Sequence, residues 1–253
     1  GIESKRKGGE NVCIYVRVMR AGFYGVLGYY FTTMKKIVHI SDLHFGVNSS
    51  AMMHDLLSMI GEIRPDIIIV SGDLTQRALK REFLGAKRFL MQLEDVTQNV
   101  VVIPGNHDIY PVYRPVLRAM RPFERYRKYI GSVLEPRYVD DEVAIAGVNT
   151  VSRANMMNGK IHLKGIESAA KWFRSNSDDL FKMVVTHHPL DVAFETNGKR
   201  AVRSSVKAIE PLTLAGVDLY LAGHHHFSSA SIMSEHDGVR PRAAVIVQAG
   251  TVS

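Results

Sequence analysis

The sequence predicts an α/β layered domain, on three observations. From Met34 onward, short β-branched runs alternate with stretches whose apolar residues recur at helical spacing. Five polar clusters rich in Asp, Asn and His follow most of those runs, at the strand ends where open α/β sheets gather their functional groups. The 253 residues are 46% hydrophobic and 23% charged, which suits one large folded domain and excludes a disordered chain.

The elements follow in order. Ile37-Val38-His39-Ile40 is a strand leading into Asp42. Residues 50–63 place Met52, Met53, Leu56, Leu57, Ile60 and Ile63 on one helical face, and Pro65 stops the helix. Those methionines read as core packing. Ile67-Ile68-Ile69-Val70 is the next strand, and residues 80–93 repeat the helical pattern with Phe83, Leu84, Phe89, Leu90 and Leu93. Val100-Val101-Val102-Ile103 is a third strand. Residues 113–130 read as one or two helices broken near Pro122. Residues 144–149 form a strand that runs into the polar stretch 152–159, and 164–173 is another helix. Met183-Val184-Val185 and Leu219-Tyr220-Leu221-Ala222 are strands on either side of a short helix, 205–214, interrupted by Pro211. Residues 243–249 are a last strand. There is no internal repeat, low-complexity linker or second domain boundary.

The two ends differ from the middle. Residues 1–10 are polar and charged, and 12–31 are apolar but interrupted by Arg17 and Arg20, with Gly22, Gly25 and Gly28 scattered through them. The uninterrupted apolar part, 21–31, is too short to span a bilayer. The arginines also break the apolar core that a signal peptide requires. Residues 1–33 are therefore expected to be an atypical extension outside the fold: a segment upstream of a true start at Met34, a tail or interfacial anchor, or a targeting segment. The domain is expected over 34–253. Its abrupt stop after a strand reads as a truncated C-terminus.

The formal charge of +7 would favour phosphate-bearing partners but carries little weight alone. Cys13 is the only cysteine, so there is no intrachain disulfide; a reducing, cytoplasmic setting is expected. Cys13 also lies outside the polar clusters, which argues against a thiolate site.

Those clusters are Asp42-Leu43-His44, Gly72-Asp73, Gly105-Asn106-His107-Asp108, Thr186-His187-His188-Pro189 and Gly223-His224-His225-His226. Asp42 and His44, two apart at a strand end, can point to one side, as can His224 and His226. Asp73 offers two carboxylate oxygens and Asn106 a neutral amide oxygen. The mixture suits two adjacent first-row divalent metals and is too nitrogen-rich for calcium. Mn, Fe, Zn, Co and Ni all accept such ligands, with the first three favoured. His39, His54, His162 and His236 read as ordinary core or surface residues. His188 and His225 sit beside candidate ligands, and strand alternation would point each away from its neighbour. The basic stretch Arg114, Arg118, Arg121, Arg125, Arg127 and Lys128 faces one acid, Glu124. It reads as a solvated helix face, with a cap that attracts an anionic substrate as the alternative. Arg153, Asn155 and Asn158 lie in a loop that could line a pocket.

Taken in this order, the five clusters resemble the calcineurin-like metallophosphoesterase superfamily over residues 36–253. Ile40-Ser41-Asp42-Leu43-His44-Phe45-Gly46 and Gly72-Asp73-Leu74-Thr75 are most similar to its cyclic-nucleotide phosphodiesterase-like branch. The resemblance implies a four-layer sandwich: two mixed β-sheets packed face to face with flanking helices. It implies that Asp42, His44 and His226 hold one metal, that Asn106, His187 and His224 hold a second, and that Asp73 bridges them. His107 would contact the substrate phosphate and protonate the leaving oxygen, with Asp108 orienting it. The implied activity is hydrolysis of a small phosphodiester, a cyclic nucleotide among the candidates, by a hydroxide bridging two metals roughly 3.5–4 Å apart. A phosphomonoesterase or nucleotide hydrolase, a nuclease, and a non-catalytic scaffold are the alternatives. Nucleic acid is a less favoured partner, and oligomeric state is not readable from the sequence.

Overall fold

A computed structural model describes residues 2–7, 10–24, 29–154, 159–190, 205–224, 229–232 and 245–249. The strands are β1 (Ile2–Lys7), β2 (Glu10–Tyr24), β3 (Tyr29–Ile40), β4 (Ile67–Val70), β5 (Val100–Val102), β6 (Arg137–Val139), β7 (Val143–Gly147), β8 (Phe181–Val185), β9 (Leu219–Ala222), β10 (Ser229–Ile232) and β11 (Val245–Gln248). The helices are α1 (Ser50–Ile63), α2 (Lys80–Val96), α3 (Pro115–Met120), α4 (Glu124–Tyr129), α5 (Leu163–Arg174) and α6 (Ser205–Leu214).

Both sheets are mixed. The first has the order β1-β2-β3-β4-β5, with β3, β4 and β5 parallel and the first two strands antiparallel. The second has the order β10-β11-β9-β8-β7-β6, with parallel pairing from β11 to β7 and an antiparallel strand at each edge.

Strand alternation explains the layering. Ile37, Ile67, Ile69, Val101 and Ile103 of the first sheet pack against Val143, Ile145, Met183, Val185, Leu219 and Leu221 of the second, closing the central layer. The intervening Val38, Ile40, Ile68 and Val70 face α1 and α2. Ala144, Ala146, Val184 and Tyr220 face α5 and α6. Strands buried on both faces read as continuous apolar runs, which is why Ile67-Ile68-Ile69-Val70 lacks a polar alternate. The four layers agree with the expected sandwich.

Two expectations differ from the structure. Residues 1–33, expected outside the fold, carry β1 and β2, and β2 pairs with β3 from Ile14↔His39 to Tyr24↔Tyr29. Ile14, Val16 and Val18 alternate with Tyr15, Arg17 and Met19, so the arginines that spoil an apolar anchor fit a strand. Val16 is buried in the layer between the sheets. Pro211 lies inside α6 without ending it. Burial of Ala208, Ile209 and Leu212 against the second sheet offsets a proline cost of about 3 kcal/mol. The break near Pro122 does fall between α3 and α4. No described helix is long and apolar enough to cross a membrane.

Asp140, in the β6–β7 turn, fastens the second sheet to the first. It accepts from Lys35 Nζ at 2.9 Å, from the Tyr138 hydroxyl at 2.8 Å and from the backbone N–H groups of Glu142 and Val143 at 2.9 Å each. Partial burial works against its charge, but Lys35 and these donors hold its pKa below the usual carboxylate value. A depressed carboxylate pKa stabilises the fold above the unfolded value and loses that contribution as pH falls through the folded one. Asp140→Asn should therefore lower the melting temperature at neutral pH. The gap from wild type should shrink as pH falls below about 4 in thermal melts run across pH. A gap independent of pH would show that the Asp140 charge plays no part.

Candidate metal centre at the strand ends

Each cluster sits just past a strand, and backbone geometry aims it. Asp42, His44, Asp73 and His224 have φ of 55°, 41°, 52° and 73°. Positive φ is uncommon for residues with a Cβ and is typical of sites where side-chain direction outweighs backbone strain. Cross-links hold the bends: Asp42 N–H donates to Gly72 O at 3.1 Å, His44 N–H to Asp73 O at 2.9 Å, and Gly223 N–H to His187 O at 3.0 Å.

The residues before the clusters matter through what they lack. A Cβ on Gly105 would overlap Asp73 Oδ1 and the Asp73 backbone nitrogen. One on Gly223 would overlap Ser41 Oγ and come within 2.7 Å of Asp42 Oδ2. Glycine lets one motif's backbone rest against the next motif's carboxylate.

Both sheets contribute to the cluster. His187 Nε2 lies 2.8 Å from Asn106 Oδ1 and 3.3 Å from Asp73 Oδ2, while its Nδ1 donates to Ser71 O at 2.8 Å. A carbonyl only accepts, so Nδ1 carries the proton and Nε2 faces the oxygen donors. Across the sheets, His224 N–H donates to Asp42 Oδ2 at 3.0 Å. His44 Nε2 is 3.7 Å from Asp42 Oδ1, and its ring meets that of His107 edge-on with centres 5.0 Å apart. Donor atoms of Asp42, Asp73 and His187 lie within 4.8 Å of one another, as do those of His187, His188 and His224. These buried oxygen and imidazole donors are the set that divalent first-row ions accept, so the residues fit such ions.

Burial opposes the charge on Asp73, but the imidazoles of His187, His107 and His44 outweigh it and hold the carboxyl well below its usual range. Burial pushes His187 down, but the charge and hydrogen bond of Asp73 prevail and raise it to about 9. Carboxylate and imidazole thus share a proton in a place where both could share a cation.

Several sequence expectations resolve differently. Asp108 does not orient His107. Its Oδ1 accepts from Thr75 N at 2.9 Å and Thr75 Oγ1 at 3.0 Å, and its Oδ2 from Gly105 N at 2.9 Å and Leu74 N at 3.2 Å. The 3₁₀ turn Asn106–Asp108 folds this carboxylate back onto the loop that carries Asp73. Burial and the nearby charge of Asp73 push its pKa up to about 6, against the pull of those N–H donors. His107 is instead held through Nδ1, 2.8 Å from Gln76 O, and its backbone N–H donates to Asp73 Oδ1 at 2.8 Å. His188 does not turn away from His187, because the chain bends at these two residues and strand alternation no longer applies.

Arg118 and Arg125 of the basic stretch are engaged within the protein, while Arg114, Arg121, Arg127 and Lys128 are exposed, as expected of a solvated face. Arg118 is buried and donates to Tyr110 O at 2.6 Å, Arg153 O at 2.7 Å and Ser152 O at 3.2 Å. Arg125 reaches Ala78 O at 2.6 Å and lies over the Tyr110 ring, and Arg121 meets Glu124 at 3.4 Å on the surface. Arg153 donates to Ala119 O at 2.8 Å. Arg118 and Arg153 thus lock α3 to the loop after β7; no sequence signal distinguished them from solvated arginines. His39 is a buried structural residue, with Nε2 2.8 Å from Ser71 Oγ, and burial lowers its pKa to about 3. His225, His226, His236, Asn155 and Asn158 lie outside the described residues.

This sandwich, with Asp, Asn and His converging at its strand ends, is a metallophosphoesterase fold. A dimetal phosphatase from Danio rerio of known structure aligns with a TM-score of 0.61 over 85% of this chain and 87% of its own, at 13% identity. The chain matches the calcineurin-like phosphoesterase family over residues 35–228 and belongs to it. A Danio rerio transmembrane protein with metallophosphoesterase domain is 26% identical over 139 residues, covering 53% of this chain and 31% of that protein. A glycerophosphodiester phosphodiesterase from Enterobacter lignolyticus is 27% identical over 172 residues, covering 60% of this chain and 56% of that protein. The chain thus spans between about a third and just over half of the curated relatives it matches.

Proposed function

We propose that this chain is a metal-dependent hydrolase of small phosphodiesters, with cyclic nucleotides the leading candidates and a reducing, cytoplasmic setting suggested by its single cysteine. The convergence of Asp42, Asp73, Asn106, His187 and His224 from two sheets, with His107 at the rim, carries the reading. The phosphodiesterase name of the Enterobacter relative and the sequence around Asp42 favour a diester.

In this reading Asp42, His44 and His226 would hold one divalent ion, Asn106, His187 and His224 would hold a second, and Asp73 would serve both. Two such ions would supply Lewis-acid charge for the phosphate oxygens and would bring the pKa of a water toward neutrality. The protein's own contribution is placement. Ser71 O fixes His187 so that Nε2 faces the centre. Gln76 O accepts the Nδ1–H of His107, so a proton passed to the leaving oxygen would come from Nε2 of the doubly protonated ring, which keeps its Nδ1–H. Asp73 Oδ1, accepting the His107 N–H, keeps that ring in register with the cluster. Asp108 acts on the scaffold, by tying Leu74, Thr75 and Gly105 together. The inward engagement of Arg118 and Arg125 takes two of the six basic side chains of this stretch out of the surface that a nuclease would use.

The test is hydrolysis of bis(p-nitrophenyl) phosphate against p-nitrophenyl phosphate, with added manganese and with chelator. Chelator-sensitive turnover that favours the diester is expected. Preference for the monoester would move the substrate class to phosphomonoesters. Turnover of neither, with metal bound, would count against catalysis of either class.

A further inference from the structure

We propose that His188 is an additional imidazole donor to the ion that Asn106, His187 and His224 would share, and that it makes this position prefer zinc or ferrous iron to manganese. The inference rests on the metal-centre reading above and adds a residue and a selectivity to it.

Three observations carry it. First, one donor atom from each of His187, His188 and His224 lies within 4.8 Å of the other two. Second, the rings are spaced as end-on ligands of one ion would be. A metal–nitrogen bond of about 2.0–2.1 Å puts each ring centre about 3.2 Å from the ion, so rings at near-tetrahedral to right angles have centres about 4.5–5.2 Å apart. The centres of His187 and His188 are 4.9 Å apart and those of His187 and His224 5.2 Å, within that range, while those of His188 and His224, at 4.4 Å, fall just below it.

Third, the His188 ring is held from behind. Thr150 Oγ1 lies 2.9 Å from Nδ1 and also accepts the His188 backbone N–H at 3.1 Å. Gly159 closes the same side, since a Cβ there would come within 2.6 Å of His188 Cγ and Nδ1. Thr186 Oγ1 donates to His188 O at 2.9 Å and fixes the bend. A polar partner on one ring nitrogen that leaves the other to the metal is the usual arrangement around a ligating histidine. With His188 the donors become three imidazoles, one amide oxygen and one carboxylate. Imidazole suits zinc, iron and nickel, whereas manganese prefers oxygen donors.

The experiment titrates metal-stripped full-length protein with zinc alone and with manganese alone, in wild type, His188→Gln and Thr150→Val, and records the visible absorption of the cobalt-loaded forms. His188→Gln should weaken zinc at one of two sites by about a hundredfold or more and manganese by less than about tenfold, and should alter the cobalt spectrum. Thr150→Val should shift zinc the same way by about tenfold. Unchanged zinc affinity, zinc-to-manganese preference and cobalt spectrum in His188→Gln would overturn the role of His188 while leaving the metal centre standing. A wild type that binds none of the three ions would overturn the metal-centre reading itself. If His188→Gln fails to fold, X-ray absorption on the zinc-loaded wild type decides. One imidazole more than His44, His187, His224 and His226 account for supports the proposal, and no more than those four refutes it.

Discussion

Asp73→Ala should abolish chelator-sensitive diester hydrolysis, with a loss of about a thousandfold or more. Removing one electrostatic donor from an active site costs roughly a hundred- to a thousandfold, and Asp73 serves several partners at once. Its Oδ2 lies 3.3 Å from His187 Nε2, its Oδ1 accepts the His107 N–H at 2.8 Å, and its donors fall within 4.8 Å of those of Asp42 and His187. Alanine would leave His187 and His107 without their shared anion, so metal content should fall together with turnover. Elemental analysis after dialysis checks this alongside the hydrolysis assay. Retention of both metals with near-normal turnover would remove Asp73 from the bridging role.

Gly105→Ala should be nearly as damaging, although Gly105 carries no donor. Its Cβ would collide with the Asp73 backbone as well as its carboxylate, and backbone cannot rotate away as a flexible side chain can. Relief requires the Gly105 and Gly72-Asp73 turns to separate. That breaks the Gly105 N–H bond to Asp108 Oδ2 and moves Asp73 relative to Asn106. Displacements of about 1 Å can cost a hundredfold in rate, and overpacking costs about 1–3 kcal/mol or more. A lower melting temperature with at least a tenfold loss of turnover is expected. Full activity would mean that the close approach of the two turns is not required. Gly131, where an added Cβ would meet nothing within 4 Å, is the control: Gly131→Ala should leave turnover unchanged.

How much was legible follows physical lines. β-branched runs and helical spacing located β4, β8, β9, α1, α2 and α5 because burial on both sheet faces leaves a strong local signature. The Asp, Asn and His clusters stood out because each sits at a strand end, and the structure brings Asp42, Asp73, Asn106, His187 and His224 together. What stayed hidden depends on turns. The short turn at Asn106–Asp108 sends Asp108 to Leu74 and Thr75, and Gln76 O takes its expected place beside His107. The bend at His187 and His188 cancels the alternation that would have pointed His188 away. Polar β10 and the short β6 have no apolar pattern of their own, and β2 was obscured by its arginines. Arg118 and Arg125 read as surface charge because backbone carbonyls, their actual partners, leave no trace in composition.

The hydrogen bond from His224 N–H to Asp42 Oδ2 joins residues 182 positions apart, and the one from His187 to Asn106 spans 81. Contacts of such range are slow to form, because loop closure must precede any gain from them. During synthesis, a chain that has emerged only through the Asn106–Asp108 turn has Asp42, His44, Asp73 and Asn106 but none of the imidazoles that the second sheet supplies. Its oxygen donors can recruit a loosely held ion without the geometry for hydrolysis. Competence therefore arrives late, when β8 and β9 dock, and the onset of turnover during refolding marks the closing of the two sheets more directly than the recovery of secondary structure does.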